Sequence, residues 1–73
     1  MSIAKIIEIS SSSPVSFEAA IRDGIARAAE TINNIQGAWV SEQKVRVENG
    51  KLVEFRVALR ITFLLEALAS DNS

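Results

Sequence analysis

Hydrophobic positions recur with three different spacings along this chain. Residues 2–10 are rich in isoleucine, with Ile3, Ile7 and Ile9 on one side of a pleat, which predicts a strand ended by the polar stretch Ser10 to Ser13 and by Pro14. From Phe17 the spacing becomes three and four, through Ile21, Ile25, Ala28, Ile32 and Ile35. Ser16 is a good N-cap, and Glu18 complements the helix dipole from the first turn, so an amphipathic helix is expected over about 17–33. Its other face, with Arg22, Asp23, Glu30 and Asn33, reads as a solvated surface.

Asn33, Asn34 and Gly37 supply the helix stop, and strict alternation follows, with Val45 and Val47 on one side and Glu42, Lys44, Arg46 and Glu48 on the other. A third strand is expected from Lys51 to about Glu66, with Val53, Phe55, Val57, Leu59, Ile61, Phe63 and Leu65 on one face. Asn49-Gly50 between two alternating segments signals a hairpin, because a type I′ turn needs positive φ at both central residues. The fold class is therefore α+β in the order β-α-β-β, a three-stranded antiparallel sheet with one amphipathic helix packed on one face. A single domain is expected over residues 1–73, with 66–73 as a flexible tail.

The turn also sets an expected register. Glu48 faces Lys51, and in step with it Gln43 meets Arg56, Ser41 meets Ala58, Trp39 meets Arg60 and Gly37 meets Thr62 on one surface. On the other surface Lys44 meets Phe55, Glu42 meets Val57, Val40 meets Leu59 and Ala38 meets Ile61, and that surface receives the helix.

Composition narrows the function. At 73 residues, a monomer is marginal, since a chain this short buries only about 60–65% of its unfolded surface. With no cysteine and no histidine, disulfides are excluded and zinc or haem sites are implausible, leaving oligomerisation as the expected source of stability. Eight basic and nine acidic residues, spread without a patch, favour neither nucleic acid nor anionic lipid. Apolar runs of two to three residues span no membrane, and the first nine residues lack a signal-peptide core, so a cytoplasmic protein is expected. No base stands near the serines to activate a nucleophile, which argues against an enzyme.

Trp39, the one tryptophan, falls beside Arg60 on the sheet surface that one helix does not cover. Three readings stay open: an interface anchor, a cation–π pair on a solvated surface, or a stacking platform for a flat ligand, with Arg56, Arg60 and Gln43 as hydrogen-bond donors. Glu42, Glu48, Glu54 and Glu66 alternate with Lys and Arg and read as cross-strand ion pairs. A cation site would need carboxylates from several subunits to converge.

Lys5-Ile6-Ile7-Glu8-Ile9, Ser13-Pro14-Val15-Ser16-Phe17-Glu18-Ala19-Ala20-Ile21, Ala26-Arg27-Ala28, Asn34-Ile35, Glu48-Asn49-Gly50-Lys51 and the run from Phe55 to Phe63 together resemble dodecin, over residues 3–66. The resemblance implies a β-α-β-β subunit, a hollow shell of twelve copies, no enzymatic activity, and flavin (FMN or riboflavin) held between subunits for storage or sequestration. It also implies a stacking tryptophan three residues after the Asn that follows the helix, which here is Gly37, and a flavin-binding glutamine after the third-strand aromatic, which here is Arg56. Trp39 lies two residues beyond Gly37, shifted by about 7 Å along the strand. These departures look more like the branch associated with calcium. The candidate ligand-binding residues are thus Gly37, Trp39, Gln43 and Arg56; the alternative is a non-flavin structural variant binding a divalent cation such as calcium, with its metal ligands undefined.

Overall fold

The computed structural model describes residues 3–65. Four elements follow in the expected order: β1 (Ala4–Ser13), α1 (Phe17–Ala29), β2 (Ile35–Glu48) and β3 (Lys51–Leu64). The sheet is antiparallel with strand order β1-β3-β2, so β3 lies in the middle and the helix carries the chain from one edge strand to the other. The expected tail at 66–73, and the expected end of the third strand at Glu66, lie outside the described residues; β3 itself ends at Leu64.

The central strand carries the core. Val57, Leu59 and Ile61 are buried beneath Ala20 of α1, and Ile7, Ile9, Phe17, Ile21, Ile25, Ala28, Ile35 and Val40 pack around them. Phe17 and Phe55 close one end edge to face, with ring centroids 5.1 Å apart. The helix begins as its cap predicts, with Ser16 Oγ accepting from the Ala19 amide at 2.9 Å. It ends earlier than the apolar spacing suggests. The Glu30 and Thr31 amides donate three residues back, to Arg27 and Ala28, which tightens the last turn, and Asn34 then turns the chain at φ 63°. Ile35 consequently belongs to β2, where the β-branched side chain is better placed than in a helix.

β1 runs three residues further than expected, through the serines. Ser11 and Ser13 face the helix, where small polar side chains suit a close approach: the Ser11 hydroxyl donates to the Ala20 carbonyl at 2.7 Å, and buried Ser13 Oγ accepts from the Val15 amide at 3.0 Å. Opposite them stands Gly24, where a Cβ would come within 3.0 Å of Ser11 Cβ and 3.1 Å of Leu59 Cδ1. The serines therefore extend the strand by satisfying the helix and loop groups above them, an outcome their low strand propensity hides.

The hairpin forms as expected, with Asn49 at φ 52° and Gly50 at φ 75° and Glu48 opposite Lys51. Its register is then corrected in the middle. Val53 is an extra residue in β3, so Arg46 faces Glu54, Lys44 faces Arg56, Gln43 faces Val57 and Glu42 faces Ala58, in place of the expected Gln43–Arg56, Ser41–Ala58, Lys44–Phe55 and Glu42–Val57 pairs. Ser41 is an extra residue in β2, which restores the expected pairs Val40–Leu59, Trp39–Arg60, Ala38–Ile61 and Gly37–Thr62; a third shift, with Gln36 as the extra residue, then sets Ile35 opposite Phe63 at the start of β2. Of the seven expected alternating positions, Phe55, Val57, Leu59, Ile61 and Phe63 alternate within β3, with the bulge at Val53 in front of them and Leu65 just past the strand's end.

Between Phe55 and the turn the two long strands form an arm that β1 does not accompany. Charges pair across and along its strands: Arg46 Nε lies 3.1 Å from Glu54 Oε1 across the pair, Arg56 Nε lies 2.9 Å from the same oxygen along β3, and Arg46 also pairs with Glu48 along β2. Of the expected cross-strand ion pairs, Glu54 makes one, with Arg46; Glu48 pairs with Arg46 along its own strand, Glu42 makes no ion pair among the described residues, and Glu66 lies outside them. Hydrogen bonds from Arg46 first and Arg56 second hold the Glu54 carboxyl below its ordinary range, against a small opposing effect of burial.

Two outcomes follow for stability. Gly24→Val drives two methyl groups into Ser11 and Leu59 and lowers unfolding free energy by about 1–3 kcal/mol in chemical denaturation. Glu54 titrates lower in the folded state than in the unfolded, so its stabilisation is complete above the ordinary value of 4.5 and is lost as pH falls below it. The thermal midpoint of Glu54→Gln therefore lies below that of the native chain at pH 7, and the gap closes between pH 4.5 and more acid conditions.

Candidate functional site

One surface of the sheet faces the helix, and the other is open. Strand alternation and the two bulges place Gly37, Trp39, Glu42 and Lys44 of β2, Arg56, Ala58, Arg60 and Thr62 of β3, and Ile6, Glu8, Ser10 and Ser12 of β1 on the open surface. Gly37, Trp39 and Arg56 therefore share one surface, as their sequence positions suggest. Gln43 does not join them: the extra residue Val53 sets it opposite Val57, on the helix-side surface.

Trp39 is 63% exposed, a large fraction for the largest apolar side chain of the protein. The Arg60 guanidinium carbon stands 5.3 Å from the indole centroid, within cation–π range. On the far side of Arg60, across β3, is Glu8, whose Oε2 lies 3.3 Å from the Ser41 hydroxyl; that hydroxyl lies equally 3.3 Å from the Ala58 carbonyl. The bulge at Ser41 thus does more than shift register, since it directs a donor at the carboxylate beside Arg60. Gly37, one position along, is bordered by open space, where a Cβ would meet nothing within 4 Å.

Four residues along β3 from Arg60, roughly 13 Å at strand rise, Arg56 and Lys44 border a shallow depression of about 250 Å³. Ser10, Ser12, Glu42 and Ala58 complete its lining on the open surface. The structure therefore brings Trp39 to Arg60 and Arg56 to Lys44, as two neighbouring places on one surface. Trp39 and Arg56 do not touch the same point within one chain. Ser10, Ser12, Glu42 and Lys44 had no individual signal in the sequence as site residues. The serines read as a strand terminator, and Glu42 and Lys44 read as facing the helix until the bulges are known.

Chemically, this surface offers an aromatic plane, cationic hydrogen-bond donors and hydroxyls. Among the described residues, no group of three or more acidic side chains converges to hold a metal ion within a single chain. No helix of the described residues is long and apolar enough to cross a membrane.

Comparison with known proteins gives a consistent placement. The family model for dodecin matches residues 3–66. Calcium dodecin of Mycobacterium tuberculosis is 33% identical over 63 residues, which is 86% of this chain and 89% of the relative. Among solved structures, dodecin from Streptomyces davaonensis aligns with a TM-score of 0.85 at 28% identity, covering 89% of this chain and 96% of that one. The crystal structure of the Mycobacterium tuberculosis calcium dodecin, described as having a novel calcium-binding site, aligns with a TM-score of 0.78 at 28% identity over 94% of this chain and 99% of its own. A family pattern spanning every described residue, joined to a curated relative above 30% identity and to the same β-α-β-β fold, makes this chain a member of the dodecin family.

Proposed function

We propose that this chain is a binding and storage protein, not an enzyme, which works in the cytoplasm as a homododecameric shell and takes a flavin such as FMN or riboflavin at its open sheet surface. The observation that carries this reading is the exposed indole of Trp39 beside Arg60, one strand repeat from the open space at Gly37. A flat ring system stacks on the indole, while cations of the same surface meet carbonyl or phosphate oxygens. Gly37 and Trp39 form the stacking place from one chain, and Arg56 lines the neighbouring depression on the same surface. Gln43, on the opposite surface, contributes only where another copy presents that surface to the ligand.

Assembly supports the reading energetically. Val45, Val47 and Leu52 all remain about half exposed on the helix-side surface of the arm, and covering the rest by another copy is worth about 0.7–1.5 kcal/mol each.

The family relationship to a calcium dodecin favours a second reading, a shell that binds calcium and no flavin. Carboxylates would then converge from several copies, with Glu8 and Glu42 on the open surface as the contributors from this chain.

Titration of the purified protein with riboflavin and with FMN, followed by fluorescence of its one tryptophan, tests the first reading. Stoichiometric quenching is expected, and Trp39→Ala weakens binding by about 1–3 kcal/mol, the usual worth of an aromatic stack. Gly37→Trp, which meets no steric obstacle at its Cβ, is expected to tighten flavin binding. Absence of quenching at saturating flavin, together with a thermal midpoint that rises with calcium and falls back with chelator, decides for the second reading.

A further inference from the structure

We infer that Arg60 sets the ligand preference of the Trp39 site, making it select planar aromatics that carry negative charge over neutral ones of the same shape. The inference deepens the stacking site proposed above and rests on Trp39 being a platform.

Its ground is a contrast among the five arginines. Arg22 pairs with Glu18, Arg27 with Glu30, and Arg46 and Arg56 with Glu54, each within 4 Å. Of the five arginines, all of them among the described residues, Arg60 alone makes no ion pair, and it stacks on Trp39. A carboxylate is at hand, since Glu8 is the cross-strand neighbour of Arg60 on the same surface. That carboxylate is engaged elsewhere, accepting from the Ser41 hydroxyl at 3.3 Å. The guanidinium therefore stands exposed, with its positive charge uncompensated at hydrogen-bond range and its planar fork of N–H donors unspent.

The other cations cannot do the same at this point. Arg56 is committed to Glu54 at 2.9 Å and lies roughly 13 Å away along β3, and Lys44 faces Arg56. A ligand lying on the exposed indole meets the Arg60 guanidinium at the same ring, with the Glu8 carboxylate across β3 as the opposing charge. A negative group about 4 Å from the guanidinium gains at least about fivefold in affinity even at the dielectric of bulk water, and more where the ring excludes water.

The test compares naphthalene-2-sulfonate with 2-naphthalenemethanol by equilibrium dialysis against the assembled protein, at low and at raised salt. The sulfonate is expected to bind at least fivefold more tightly, with a preference that shrinks as salt rises. Arg60→Gln is expected to abolish the preference and Arg60→Lys to keep part of it, while Lys51→Gln, at the hairpin turn, leaves it in place. Circular dichroism and assembly size confirm that each variant is folded. Equal binding of the two probes, a preference that survives Arg60→Gln, or one that falls equally in Lys51→Gln overturns the inference. The same measurement with FMN and riboflavin separates the two claims: sulfonate preference without any flavin binding leaves the role of Arg60 standing and removes flavin as the ligand.

Discussion

Among the described residues, a single thirteen-residue helix covers a sheet whose two longest strands have fourteen residues each. Everything else in the subunit accommodates that shortage. The helix is laid over β1 and β3 where Val57, Leu59 and Ile61 can be sealed off, and it is drawn close by a glycine set against a serine. The cost of close approach is that no side chain can be added at Gly24, and the gain is dense packing in a core of few residues. What the helix cannot reach stays polar on the open surface or stays apolar and exposed on the arm. The first gives the protein a place for a ligand, and the second gives it a reason to associate.

Much of this arrangement is written locally. The Asn49-Gly50 turn, the Ser16 cap and the alternation of β3 beyond Phe55 each depend on neighbours a few residues away, and each is where the sequence predicts it. The features that escaped depend on contacts distant in sequence. The serine segment is a strand because α1 sits above Ser11 and Ser13, and nothing in four serines announces that. The helix stops at Ala29 because the chain must turn at Asn34 to start β2, although Ile32 and Ile35 continue the apolar spacing. Bulges at Val53 and Ser41 leave the composition of both strands unchanged, so alternation alone cannot reveal them.

The candidate site was legible to the same degree. Trp39 opposite Arg60 follows from counting back from the turn, because the two bulges offset each other before that pair. Between them the count is one residue out, and that stretch contains Gln43, Glu42 and Lys44. The aromatic centre was therefore readable from the chain, while the polar residues around it were not. Their surface is decided by backbone irregularities whose energy comes from sheet twist and packing.

The pair of bulges has a meaning for how such a chain can change over time. Each inverts the odd-even parity of the strand that follows it, which is how odd-numbered Gly37 and Trp39 come to lie on the same surface as even-numbered Glu42 and Lys44. Because one extra residue in β3 answers one extra residue in β2, the turn and the aromatic pair are held in phase at either end of an independent middle block. Insertions and deletions, usually ruinous inside a sheet, become survivable here when they occur as a matched pair. The hairpin can thus exchange the chemistry its middle presents to a ligand while leaving its frame untouched.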